Sequence, residues 1–205
     1  MLYLIGGAPR VGKSIIAKQL MKEKGIPWLS TDVLRSICYD LTPEELREEL
    51  YPYVGVTDND IVFSQPLDVI VKQQITEAES MKPSIETFIK HQIDVRENFI
   101  LEGVHLLPKH IADFYKENPE LQDQIKVLFI VDTDPENILK GLQMNTSHFD
   151  WLSGAKPNTY RAVAEFVAKF SKYIEEEVNK YDMILYSRTS DFVIDIKNCS
   201  ELMAG

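Results

Sequence analysis

Short apolar runs alternate with segments of helical periodicity along the chain. Five of these runs fit buried parallel strands, at residues 2–5, 26–30, 99–101, 127–131 and 183–186. Strands that alternate with helices predict an α/β fold, in which crossover helices join the strands of a parallel sheet. A sixth run, at 192–196, is too short to distinguish a strand from the start of a helix.

Two helix boundaries have clear sequence signals. The first helix is predicted to run from about Lys13 to Lys24 and to end at Gly25, because glycine readily adopts the left-handed conformation that terminates helices. Another is predicted to start with Thr42 as the capping residue and Pro43 in the first helical position, followed by two glutamates in the first turn.

Residues 31–98 separate the second and third predicted strands, and this is too long a stretch for a bare loop. Helical spacing predicts two helices within it, over 64–78 and 84–95. We interpret about 40–97 as a helical insertion beside the sheet. Because no repeats, low-complexity tracts or linkers interrupt the chain, a single domain over 1–205 is expected.

Residues 7–14 read Gly-Ala-Pro-Arg-Val-Gly-Lys-Ser, which matches the Walker A pattern G-x-x-x-x-G-K-[ST]. The segment follows a predicted strand and opens a predicted helix, where backbone N–H groups and the helix dipole attract anions. In this pattern the lysine reaches the β- and γ-phosphates, and the serine ligates Mg²⁺. Nucleoside-triphosphate binding is therefore predicted for eight residues, Gly7, Ala8, Pro9, Arg10, Val11, Gly12, Lys13 and Ser14.

Asp32 and Arg35 follow the second predicted strand. Ligands of open α/β sheets bind at the carboxyl ends of the strands, so Asp32 is expected to face the same crevice as Lys13. A carboxylate there can accept the proton of an attacking hydroxyl, and Arg35, one helical turn further, can clamp an anionic group of the acceptor. The alternative is that Thr31 or Asp32 only caps the next helix.

Glu102 ends the third predicted strand, and His105 follows it closely. An acid at this position is expected to organise Mg²⁺ through a bound water, or to share the role of base with Asp32. The alternative for Glu102 is an exposed carboxylate without a function. His105 is a candidate for contact with the substrate, although a lone histidine more often packs in a core or faces solvent.

The segment of about 133–158 occupies the place of a mobile lid in phosphoryl-transfer enzymes. Lids of this kind usually supply arginines that stabilise the transferring group. This segment is poor in arginine, and its basic candidates are Lys140 and Lys156, with Arg161 just beyond. Lysine is a weaker substitute for a bidentate clamp, so efficient phosphoryl transfer does not follow from this segment.

A long helix is predicted to open at Pro157, with apolar residues at helical spacing as far as Val178. Residues 179–182, at its end, match the N-K-x-D string with which GTPases read guanine. That string needs to follow a buried strand rather than a helix, and the chain has no D-x-x-G switch motif. A guanine-specific switch is therefore not expected.

Composition and charge narrow the class of partner. The 205 residues include 44% hydrophobic and 26% charged residues, as in globular proteins, and carry a net charge of −10, which argues against DNA or RNA. No apolar run approaches the length of a membrane span and no leader-like segment precedes the first strand, so a cytoplasmic protein without a membrane partner is expected. Cys38 and Cys199 are expected to be reduced, buried thiols.

Three segments carry a resemblance to P-loop small-molecule kinases, and most closely to the 2-phosphoglycerate kinase group: GGAPRVGKS at 6–14, STDVLR at 30–35 and ILEGVHLLP at 100–108. The resemblance implies a three-layer fold around a five-stranded parallel sheet in the order 2-3-1-4-5. It also implies Mg-ATP as the phosphoryl donor and a hydroxyl acceptor that bears an acid or a phosphate.

Within the resemblance, Lys13, Ser14, Asp32 and Arg35 take the roles argued above. The arginine-poor lid and the acidic insertion depart from the group and leave the acceptor open. Zeta-toxin-like kinases, which phosphorylate nucleotide sugars, share the loop and the acid after the second strand and remain an alternative. A further alternative is a sensor that binds ATP and engages a partner without phosphoryl transfer.

Overall fold

The computed structural model describes residues 1–145 and 151–204. Within them, five parallel strands form one sheet: β1 (Leu2–Gly7), β2 (Trp28–Ser30), β3 (Phe99–Glu102), β4 (Ile125–Val131) and β5 (Leu185–Ser187). Their order is β2–β3–β1–β4–β5, which confirms the predicted topology. Each strand is joined to the next by helices, as parallel strands require.

The described residues form nine α-helices and one short 3₁₀ helix at Pro119–Gln124. The α-helices are α1 (Lys13–Lys24), α2 (Thr31–Leu41), α3 (Glu44–Leu50), α4 (Asn59–Val62), α5 (Leu67–Asp94), α6 (Pro108–Glu117), α7 (Pro135–Asn145), α8 (Pro157–Lys180) and α9 (Phe192–Ala204). The bounds of α1 are those predicted, and Gly25 ends it with φ 67°. The short run left undecided, 192–196, begins α9 and is not a strand.

The central strands are almost entirely apolar because both faces of the sheet are covered. Every residue of β1 is buried, and so is every residue of β4 except Lys126. Helix α8 supplies an apolar face that is buried along its length, as predicted from its spacing. Its buried apolar residues are Val163, Ala164, Phe166, Val167, Ala168, Phe170, Ile174 and Val178.

The two helices predicted over 64–78 and 84–95 are a single 28-residue helix, α5. Pro83 lies in the gap between the two predicted helices, and a proline inside a helix removes a hydrogen bond and crowds the preceding turn. Pro83 is exposed, while residues on both sides of it pack into the core, including Ala78, Met81 and Ile85. The burial of one continuous apolar face therefore outweighs the cost of the proline.

Two smaller boundaries also differ from the predictions. Pro43, not Thr42, is the N-cap of α3, and the Thr42 hydroxyl instead donates to the Cys38 carbonyl at the end of α2. Strand β5 begins at Leu185, later than the predicted start at 183.

Both cysteines are free, with Cys199 buried and Cys38 half-buried. No helix in the described part of the chain combines the length and the apolar character needed to span a bilayer.

Candidate active site

The Walker A loop joins the carboxyl end of β1 to the start of α1. Gly7 packs so closely on β4 that an added Cβ would lie 2.0 Å from the Ile130 carbonyl oxygen. Gly12, with φ 96°, is the N-cap of α1, and no side chain of the described residues caps this helix start. Its first N–H groups therefore remain available, which is the arrangement that binds phosphate at helix N-termini.

Lys13 lies almost buried in the loop, with 6% of its surface exposed. Its Nζ donates a hydrogen bond of 2.6 Å to the Ala8 carbonyl. Burial lowers the pKa of Lys13 to about 8, although the charges of Glu102 and Asp32 oppose the shift. An ammonium group is thus held inside the loop, next to the N–H groups at the start of α1.

Glu102 ends β3 beside the Walker A loop. Its Oε1 accepts a hydrogen bond of 3.0 Å from the Ser14 hydroxyl, and only 2% of the residue is exposed. Burial raises the pKa of the Glu102 carboxyl, while Lys13 and hydrogen bonds from Ser14 and Ser30 oppose the shift. The alternative of an exposed carboxylate at the strand end is wrong. The Ser14 hydroxyl and the Glu102 carboxylate together offer oxygen ligands of the kind that Mg²⁺ prefers.

Asp32 lies in the first turn of α2, with 62% of its side chain exposed. Neither Thr31 nor Asp32 caps this helix, because the Ser30 hydroxyl accepts the hydrogen bond from the Asp32 N–H, at 3.2 Å. The Asp32 carboxylate is therefore not occupied by capping. Arg35 lies on the same side, with its Nη2 4.0 Å from Asp32 Oδ1.

His105 is fully buried, with no exposed surface. Its Nδ1 lies 2.7 Å from the Thr31 hydroxyl oxygen, and its Nε2 lies 2.7 Å from Glu77 Oε1. A ring enclosed in this way has no surface for a substrate, so the structure does not support the predicted substrate contact. The sequence did not predict that Glu77 of α5 lies buried beside this site, because a single acid in a long amphipathic helix carries no sequence signal for burial.

The segment expected to act as a lid, about 133–158, includes α7 and the turn that leads into α8. Its residues 146–150 lie outside the described residues. Trp151 stacks on Phe63 with ring centroids 6.0 Å apart, and the Arg10 guanidinium lies 5.4 Å from the Trp151 ring. This part of the segment therefore lies beside the Walker A loop.

Three basic residues are predicted for the lid, and two of them form ion pairs with acidic side chains. Lys156 Nζ lies 3.2 Å from Asp60 Oδ2, and Arg161 Nη1 lies 2.9 Å from Glu136 Oε1. Lys140 is exposed on α7. Exposed ion pairs of this kind contribute little to stability, so Lys156 and Arg161 can exchange their partners for phosphate oxygens at little cost.

A second cluster of charged side chains, which the sequence did not predict, lies on the other side of the Walker A loop. The Arg188 guanidinium is 3.8 Å from Asp132 and 3.5 Å from Asp195, and it lies 4.9 Å from the centre of the Phe192 ring. An added Cβ on Gly12 would lie 2.6 Å from that same ring. Asp132 directly follows β4, a position at the carboxyl edge of the sheet that the sequence alone does indicate.

The sheet order and the Walker A loop are those of P-loop kinases. The fold is similar to that of a gluconokinase from Sinorhizobium meliloti 1021, with a TM-score of 0.55, 12% identity, and coverage of 98% of this chain and 90% of that chain. It is also similar to a deoxyadenosine kinase from M. mycoides with bound dATP, with a TM-score of 0.50, 14% identity, and full coverage of both chains.

In sequence, the chain is similar to the 2-phosphoglycerate kinases of two methanogens. It is 25% identical over 186 residues to that of Methanothermobacter thermautotrophicus, and 29% identical over 112 residues to that of Methanopyrus kandleri. The resemblance predicted from the three motifs is thereby confirmed. These alignments cover 88% and 54% of this chain but 58% and 34% of the relatives, so the chain spans about half the length of the relatives it matches. No protein-family model matches the chain.

Proposed function

We propose that this protein is a kinase that transfers the γ-phosphoryl group of Mg-ATP to a hydroxyl of a small anionic metabolite similar to 2-phosphoglycerate. The observation that carries the proposal is a Walker A loop that holds the Lys13 ammonium almost buried and whose Ser14 hydroxyl donates to the Glu102 carboxylate. The negative charges of Glu102 and Asp32 also favour the charged form of Lys13. The similarity to the methanogen 2-phosphoglycerate kinases supports both the reaction and the class of acceptor.

The residues of the loop fit the phosphates of a nucleotide. The uncapped N–H groups at the start of α1 and the ammonium of Lys13 would hold the phosphate oxygens. Ser14 would ligate Mg²⁺ directly, and Glu102 would hold a water of the ion. When bound, Mg-ATP supplies the phosphoryl group and neutralises part of its charge.

The acceptor would lie against α2. The Asp32 carboxylate would orient the acceptor hydroxyl and take its proton as the hydroxyl oxygen attacks the γ-phosphorus. The bond between the γ-phosphorus and the β-phosphate oxygen breaks, and the negative charge that the carboxylate gives up appears on the departing ADP. Arg35, with 31% of its side chain exposed, binds the anionic group of the acceptor. The segment of about 133–158 would exclude water, with Lys140, Lys156 and Arg161 as its cations.

The shortage of arginine in the segment of about 133–158 favours one second candidate, a protein that binds ATP and signals to a partner without transfer. In that case the lid cations would remain on Asp60 and Glu136 when nucleotide binds. The two functions differ in whether ATP is consumed when an acceptor is present.

Phosphorus NMR of the protein with Mg-ATP and a mixture of acceptors separates these functions. The mixture contains 2- and 3-phosphoglycerate, glycerate, sugar acids, nucleosides and nucleotide sugars. We expect ADP and one new phosphorus resonance, which divided mixtures then assign to an acceptor bearing a carboxylate or a phosphate. A product from a nucleotide sugar would instead favour the zeta-toxin-like alternative.

Lys13→Ala is the control, and it should lose both the reaction and saturable nucleotide binding. Intact ATP with every acceptor, despite binding that Lys13→Ala abolishes, would contradict the kinase proposal and favour the sensor.

A further inference from the structure

A chain of buried polar side chains lies directly behind Asp32. It runs from Thr31 at the start of α2, through His105, to Glu77 in α5. All three residues are at most 3% exposed, and both bonds of the chain are 2.7 Å long. Buried polar groups of this kind are held firmly, because breaking one bond leaves another group unpaired away from water.

The chemistry of Glu77 sets the direction of the hydrogen bonds. An ionised carboxylate only accepts, so the proton between His105 and Glu77 belongs to Nε2. In a neutral ring Nδ1 is then an acceptor, and the Thr31 hydroxyl donates a hydrogen bond to it. With Glu77 ionised and the ring neutral, His105 holds Thr31 through an O–H···N bond.

Gly103 allows the start of α2 to approach the end of β3 this closely. An added Cβ on Gly103 would lie 1.7 Å from Thr31 Oγ1 and 2.7 Å from its Cβ. The glycine therefore makes room for the Thr31 side chain, and His105 then fixes it by a hydrogen bond. Thr31 and Asp32 are adjacent, and Gly103 follows Glu102, so the contact joins the two turns that carry these acids.

We propose that His105, anchored by Glu77, is a positioning residue that sets the place of Asp32 relative to Glu102 and Lys13. This inference rests on the proposed function, in which Asp32 takes the proton of the acceptor. Asp32 itself is exposed, and its neighbour Arg35 lies 3.7 Å from Glu77. The buried chain therefore holds a turn whose functional side chains face the solvent, and it does so without touching the substrate.

The sharpest test compares two substitutions at Thr31. Thr31→Val keeps the shape of the side chain but removes the hydroxyl, whereas Thr31→Ser keeps the hydroxyl. We expect kcat to fall on the order of tenfold or more in Thr31→Val, since small misplacements of a reacting group have effects of this size. The KM for Mg-ATP should stay within about twofold, and Thr31→Ser should retain kcat. His105→Ala should behave like Thr31→Val.

Amide hydrogen exchange measures the positioning without any turnover. The amides of Arg35 and Ser36, which bond back to the first turn of α2, should exchange about tenfold faster in Thr31→Val and unchanged in Thr31→Ser. The amide of Leu20 in α1 should be unaffected in both. Equally faster amide exchange in α1 and α2 would mean that the hydrogen bonds of Thr31, His105 and Glu77 support only global stability, and it would overturn the proposal.

The two readouts separate the two proposals. If the wild type phosphorylates no acceptor, the proposed function fails, while hydrogen exchange still decides whether His105 holds the turn. If the wild type is active and Thr31→Val keeps its full kcat, the positioning role is wrong and the kinase proposal stands.

Discussion

Lys13 carries a positive charge in a site that water scarcely reaches. Its pKa is lowered to about 8 by burial, from an ordinary value of 10.5, even though Glu102 and Asp32 favour the charged form. The folded protein therefore holds this charge at a cost in stability, which the phosphates of a nucleotide would offset. Charges poised in this way are typical of binding sites rather than of structural ion pairs.

Replacing Lys13 by methionine should stabilise the nucleotide-free protein at pH 7, by about 2 kcal/mol. This estimate combines the lowered pKa with the loss of the hydrogen bond to Ala8. Since the pKa is lower in the folded state, the unfolded state binds more protons between about pH 8 and 10.5. Wild-type stability should therefore rise with pH in this window relative to Lys13→Met.

Urea unfolding of both proteins across that pH range measures the difference. The exposed residue Lys22 offers the matched control, and Lys22→Met should change the free energy of unfolding by less than about 0.5 kcal/mol. A Lys13→Met protein that is less stable than wild type at pH 7 would contradict the argument.

Asp32 is the second residue that the proposed reaction depends on. Asp32→Asn should reduce kcat on the order of a hundredfold, because the amide cannot take the proton of the acceptor. The Kd for Mg-ATP should be nearly unchanged, since the phosphates bind at the loop. Asp40→Asn, an equal change of charge at an exposed position of the same helix, should have no effect on kcat. Retained turnover in Asp32→Asn would remove this residue from the mechanism.

Helix α5 shows how an element can override a strong local signal. Pro83 lies near its middle and is exposed, while Met81, Ile85 and Ile89 on the opposite face are buried. The helix also carries Glu77 to the buried side of the site. Continuity of α5 therefore matters for both packing and the positioning of the α2 turn.

Pro83→Ala should raise the free energy of unfolding by about 1–3 kcal/mol. The alanine restores the missing backbone N–H and removes the clash of the ring, and the exposed site loses no buried contact. Thermal or urea unfolding measures the change. Glu79→Ala, at another exposed position of α5, should change stability by less than about 0.5 kcal/mol and serves as the control. A destabilised Pro83→Ala would contradict this argument, because it would mean that the proline ring itself contributes to packing.

At the scale of the whole molecule, the site exists because of the order of the strands. Strand β1 is central, and β3 and β4 flank it, so Glu102 and the Asp132 cluster lie on either side of the Walker A loop. The net charge of −10 belongs to the whole chain, whereas the loop presents Lys13 and N–H groups locally. An anion can therefore bind an acidic protein at this one edge of the sheet.

Mg-ATP should stabilise the folded protein, because the loop that binds it exists only in the native state. At 100 times the Kd the free energy of unfolding should increase by about 2.7 kcal/mol. Urea unfolding with and without Mg-ATP measures this increase, which Lys13→Ala should lack. An equal increase with AMP at the same concentration would contradict binding through the β- and γ-phosphates.

The sequence by itself determined the features that depend on residues close to one another along the chain. The Walker A pattern, the limits of α1 and the apolar strands all follow from local conformational preferences and from periodicity. The position of Glu102 at a strand end was predictable in the same way. The strand order, by contrast, came from a resemblance, because local signals do not specify which strands pair.

Only the tertiary structure decided which polar side chains meet. His105 bonds with Thr31, 74 residues away in sequence, and with Glu77, 28 residues away. The sequence predicted a histidine near the substrate, but packing of α2, α5 and β3 encloses it completely. Burial is a property of several elements together, so no pattern within one segment reveals it. The same packing keeps α5 continuous through Pro83, against the preference of that residue.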